Sequence, residues 1–158
     1  MARDLSSGLV TEIDAAQLQP VVLVKAEFDS GDILLWSGIN NLTYDGETYT
    51  GAGDVLSISP ITETKQLESN GAVAGITGID SALVSLALSE DYQGRPLTIW
   101  FGALHPTTGT LYVEQIFKGE MDVMEIIDDG ETASIPINCE SDMVRFNQAS
   151  NRTFTPED

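Results

Sequence analysis

Short period-two runs separated by turn residues constrain this chain more than any other feature. In PVVLVKAEFD, Val22, Val24, Ala26 and Phe28 fall on one side while Lys25 and Glu27 fall on the other. That alternation belongs to a strand with one buried face. Ser30-Gly31 supplies a turn, and ILLW returns as the second arm of a hairpin. LTY and TYT then flank Asp45-Gly46-Glu47, where Asp-Gly favours a tight hairpin. GAGDVLSISPITE resumes an extended run, with an edge or bulge expected at Pro60 because proline cannot donate a ladder hydrogen bond. AVAGIT reads as a short strand. LTIWFGAL, apolar on both faces, reads as a central one. LYVEQIFKGEMDVMEII gives two arms or one long strand bent near Gly119. Behind the acidic turn Asp128 to Glu131, Ala133, Ile135, Ile137 and Cys139 alternate inward, with Pro136 outward as the mark of an edge.

Two segments change period. Leu5, Leu9, Ile13 and Ala16 recur at helical spacing behind Ser6 or Asp4 as cap, which predicts a short N-terminal helix. Ile79 to Ser89 predicts a second, with Asp80 as cap and Leu83, Leu86 and Ala87 as its buried stripe. The fold class expected is therefore mainly β, an antiparallel barrel or sandwich with two short helices. Strand count and alternation fit barrel and sandwich equally. Residues 1–146 form one β-rich module. Residues 147–158, NQASNRTFTPED, lack any period and read as a C-terminal arm ordered by a neighbouring subunit.

Charge narrows function. Seven Lys and Arg stand against 25 Asp and Glu, a formal charge of −18 in 158 residues. Gripping nucleic acid requires clustered cations, and an anionic membrane surface attracts them too, so both partners are disfavoured. The single cysteine, Cys139, leaves no internal disulfide and no cysteine-based zinc or iron–sulfur site. The opening MARDLSSGLVTEID holds no apolar core of secretory length, so synthesis in a cytosol is expected.

No motif points to catalysis. Phe28-Asp29-Ser30-Gly31 matches the short signature of an aspartic protease, whose chemistry needs two carboxylates sharing a proton, here one from each half of a dimer. The same residues also make a polar hairpin turn. Asp29 with Asp32, Asp45 with Glu47, and Asp128 to Glu131 are acidic groups of the kind that bind calcium, but none has EF-hand spacing. His105 and Cys139 lack an orienting third residue. Trp36, Tyr44, Tyr49, Tyr92 and Trp100 could stack sugars, although packing is the commoner use of aromatics in strands. Neither an enzyme nor a bound cofactor or metal is expected.

One run in the chain, LLWSGINNLTYDGETYTGAGDVLSISPITET, resembles the N-terminal module of tail-tip hub proteins of long-tailed bacteriophages and gene transfer agents. The minor tail protein L of lambda-like phages is a distant relative. The likeness runs from residue 3 to about 146. It rests on the turn Tyr44-Asp-Gly46-Glu-Thr-Tyr49, the extended Ile61 to Glu63, Gly78-Ile79 ahead of a short helix, and the closing strands YQGRPLTIWFGAL and FKGEMDVMEIIDDGETASIPINCES. The resemblance implies a virion protein of the tail tip or baseplate, made in the host cytoplasm. It would act as a hub or distal ring, a trimer or a hexamer. It would join the distal tail or tube protein to the central fibre or spike and surround the DNA path. Larger hub relatives carry a cysteine-rich iron–sulfur part, and with one cysteine this chain reads as a short form without it. A negative wall would let DNA slide without sticking; the same acidity would also serve solubility alone. The expected contacts are Leu5, Leu9 and Ile13 on the helix, and Arg145, Phe146, Arg152 and Phe154 on the arm, since Arg and Phe are enriched at interface cores. The alternative reading is a stand-alone calcium-assisted or carbohydrate-binding β-sandwich module.

Overall fold

The computed structural model describes residues 5–53, 56–58, 72–77, 89–125, 127–128 and 133–141. Within them one helix, α1 (Ser7–Ile13), precedes ten strands. In chain order these are β1 (Pro20–Ala26), β2 (Ile33–Trp36), β3 (Leu42–Tyr44), β4 (Glu47–Gly51), β5 (Leu56–Ile58), β6 (Ala72–Thr77), β7 (Pro96–Leu104), β8 (Leu111–Met124), β9 (Ile127–Asp128) and β10 (Ala133–Ser141). The ladder runs β3-β4-β2-β1-β7-β8-β10-β6-β5, with β9 joined to β10. The mainly β class stands. The expected second helix, apart from Ser89, and Pro60 lie outside the described residues.

Both hairpins read from the sequence are present. β1 and β2 pair antiparallel from Leu23↔Trp36 to Ala26↔Ile33. β3 and β4 pair from Leu42↔Tyr49 to Tyr44↔Glu47. At that tip Asp45 and Gly46 both have positive φ, 51° and 79°. A two-residue turn of this hand matches the strands' own twist, and Asp-Gly is the dipeptide that tolerates it. β7, the most apolar run, is indeed central, flanked by β1 and β8.

Four expectations need correction. The sheet is mixed rather than wholly antiparallel: β4 lies beside β2 in parallel, Leu35↔Thr50 and Trp36↔Gly51. The Ser37–Asn41 excursion carries β3 outward and lets its partner return inside it. The barrel is not closed, for among the described residues β3 and β5 end the ladder unjoined. The sheet is nevertheless rolled. One core cluster draws Val24, Leu35, Ile99, Phe117, Met121, Ile137 and Cys139 from β1, β2, β7, β8 and β10, and Ile58 of terminal β5 packs against it. That rolling is why barrel and sandwich patterns looked alike.

β8 is a single strand whose register shift against β7 lies opposite Ile99/Trp100, not at Gly119. Finally, β10 is interior, between β8 and β6. Pro136 is tolerated there because its carbonyl accepts from the Glu125 N–H (3.2 Å). In a strand the N and C=O of one residue face the same side, so its donorless nitrogen points where β8 has just ended and no β6 bond is lost.

Alternation divides the apolar side chains between two faces. Val24, Ala26, Leu97 and Ile99 lie in the rolled core. Val21, Leu23, Trp36 and Tyr49 form a second cluster on the opposite face, with Tyr44, Trp100, Leu104 and Val113 packed against it. Two faces each burying large aliphatics supply the hydrophobic stabilisation that one flat sheet would lack.

Candidate interaction surface

Leu5, Leu9 and Ile13 are the helix residues expected to meet a neighbour or, equally, to pack within the subunit, and the structure packs only Leu9 inward. Leu9 is 1% exposed, whereas Leu5 and Ile13 are each 40% exposed. Gly8 decides the rotation: a Cβ there would collide with the ring of Tyr112 on β8, so the helix seats on its glycine face. Glu12 and Leu9 go inward, leaving Val10 and Ile13 outside. Ser6 occupies the cap position without a side-chain cap bond, and its N–H instead donates to Glu114 Oε1 (3.1 Å). Asp4 and the arm residues Arg145, Phe146, Arg152 and Phe154 lie outside the described residues.

Strand directions sort the rest of the surface into two ends. At one end the charges gather. Lys25 Nζ meets Asp32 Oδ2 at 2.9 Å and Glu47 Oε1 at 2.5 Å. Hydrogen bonds to Glu47 and then Asp32 raise the lysine well above its ordinary pKa, overcoming partial burial. Arg95 pairs with Asp29, whose N–H, with that of Ser30, donates to Glu90 Oε2 (3.1 and 3.3 Å). Two of the acidic groups that suggested calcium thus already share a lysine. Asp29 sits at an exposed, ion-paired hairpin tip, fixed as a turn. Among the described residues no group of three or more His, Cys, Asp or Glu could hold a metal ion.

The other end is formed where β1 begins, β2 ends, and β7 turns into β8. Residues 15–24, 33–44 and 96–113 contain no Asp, Glu, Lys or Arg, in a chain that is 20% charged. The β1–β2 and β1–β7 pairings bring the start of β1, the close of β2 and the close of β7 to that end, while Ile33, Leu34, Leu97 and Thr98 lie beside Lys25 and Ala26 at the other. His105 is part of the turn there, its Nδ1 accepting from the N–H groups of Thr107 and Thr108 (both 3.2 Å). Cys139 pairs with Met121, ten residues along β8 from Leu111, roughly 33 Å away at about 3.3 Å per residue. Histidine and cysteine are not brought together, and burial pushes the Cys139 thiol up to about 12, leaving it unreactive.

At this uncharged end a shallow cleft of about 660 Å³ is lined by Gln19, Trp36, Ile39, Asn41, Leu42 and Leu104, among others. Ile39 stands 87% exposed on its rim, and Leu18 is half-exposed beside Gln19. The Trp36 indole N–H donates to Asn40 O at 2.5 Å and the ring packs against Gly38, so this tryptophan is walled in. Tyr44, Tyr49 and Trp100 pack on one another with centroids 6.3 to 6.4 Å apart, and Tyr49 is 1% exposed. Tyr92 accepts from the Met124 N–H (3.3 Å) against the other core. These aromatics are packing residues rather than a sugar platform.

Sequence reasoning missed Ile39, Leu18 and the shared neutrality of this end. The signal was a gap in charge, which acquires meaning only when pairing brings parts of three separated segments together.

No protein-family model matches the sequence, and no curated protein matches it. Among solved structures, the fold is similar to a chain in the virion of a native gene transfer agent particle, with a TM-score of 0.70 at 14% identity. The match covers 95% of this chain and 49% of that one, so this chain spans about half the length of the solved chain. At such identity the likeness is one of fold.

Proposed function

We propose that this protein is a structural component of a phage-like virion, placed at the tail tip as a hub or distal ring. The observation that carries the reading is the shared fold over 95% of the chain with a gene transfer agent virion chain. The order of hub-like segments along the sequence supports it independently, since fold alone does not specify function. The role is mechanical rather than catalytic. A ring of three or six copies joins the tail tube or distal-tail ring to the central fibre or spike and encloses the DNA path, its acidic surface repelling phosphate. The outward residues of α1 and the arm residues Arg145, Phe146, Arg152 and Phe154 contribute to contacts with neighbours. Deleting the gene should give tailless particles or free heads. Infectious virions of normal morphology without this protein would refute the reading.

A further inference from the structure

We propose that the uncharged end of the sheet, centred on Ile39 and the cleft beside Trp36, is the surface through which one copy of this chain meets another. The inference rests on the ring reading above and names its contact. A copy carrying a formal charge of −18 repels its neighbour wherever carboxylates face carboxylates. A basic partner would be met on the charged faces, where attraction is available. A second identical copy is accommodated best where neither surface carries charge.

The residues that line the cleft come from the start of β1, the turn after β2 and the end of β7, and none of them is Asp, Glu, Lys or Arg. That end carries the most exposed large hydrophobic side chain among the described residues, Ile39, next to a cleft walled by Leu42 and Leu104. Depletion of charge with an apolar centre is the composition of interface cores. The contact is apolar and the long-range force repulsive, so association strengthens as salt screens the repulsion.

The experiment is light scattering on the full chain across concentration, at about 20 mM and about 500 mM NaCl, where the screening length falls from roughly 20 Å to roughly 4 Å. The same series is run on Ile39→Asp and on Ile127→Asp, an exposed control on β9. Circular dichroism and melting confirm that the folds are retained. The parent should form a discrete oligomer, tighter at high salt. Ile39→Asp should weaken it at least tenfold, and Ile127→Asp should not. A parent that stays monomeric at both salts overturns the proposal, as does an oligomer indifferent to Ile39→Asp. If the parent is monomeric yet Ile39→Asp blocks co-assembly with other tail proteins, the occupant is a different chain and the proposal also fails. Gene deletion distinguishes the two levels: missing tails with a monomeric chain keep the virion role and reject this surface. Ile39-dependent oligomers with intact tails do the reverse.

Discussion

Cys139 and Tyr49 hold their protons more tightly in the fold than in the open chain, both chiefly because burial disfavours the anion. The thiol rises from 9.0 to about 12. The phenol rises from 10.0 to about 12, with the Glu47 carboxylate adding to burial. Raised folded values mean that this stability is complete below the unfolded pKa and is lost as pH climbs towards the folded one. Unfolding free energy should therefore begin to fall near pH 9, by up to about 1.4 kcal/mol per pH unit for each group. Denaturant titrations from pH 7 to 11 would measure this. Cys139→Ala should delay the onset to about pH 10, and an unchanged profile would contradict the assignment. At the Asp45-Gly46 turn, Gly46→Val forces a β-branched residue to φ 79° and should cost about 1–2 kcal/mol. The inward place of Cys139 and the Asp-Gly turn were legible in the sequence, because each depends on its immediate neighbours. The ion pairs of Lys25 with Asp32 and Glu47 were not, since they join β1 to the turn before β2 and to β4.

Elements were legible where their period was strong. β1, β2, β7 and the β3–β4 hairpin follow from alternation and turn chemistry alone. What local pattern does not contain is the neighbour relation. Pro136 reads as an edge marker because a proline lacks a donor, yet which flank needs that donor depends on where β8 ends. The helix presents the same problem. Its spacing allowed several rotations, and a contact between Gly8 and Tyr112, more than a hundred residues apart, selected one. Gly8→Val should lift α1 from β8 and cost about 1–3 kcal/mol, visible as a lowered melting temperature and greater exposure of Leu9 to labelling or exchange. Ile99→Ala, at a fully buried site in central β7, should cost about 2–5 kcal/mol by leaving a cavity in the rolled core.

At the scale of the whole molecule, composition declared an acidic protein and periodicity a mainly β one, but neither showed where the acids would be missing from the surface. Counting charge along the chain spreads the gap over three segments; only the sheet brings parts of all three together around one cleft. Since net charge opposes self-association, lowering pH towards the isoelectric value near 4.1 should enlarge scattering particles in low salt, reversibly and before unfolding. Dynamic light scattering between pH 7 and 4.5 would test this; unchanged particle size would argue against electrostatic repulsion as the restraint. β8 gives the architecture a further property. It is fourteen residues long, its first part bonded to β7 and its last to β10. Tension applied along this strand while β7 and β10 are held would be shared by many ladder bonds in shear, rather than peeling them one at a time as at a hairpin end. Each bond contributes only about 1 kcal/mol, but bonds loaded together yield together. The long strand is thus a tie-rod between the two halves of the sheet, suited to a part that must transmit a pull without opening.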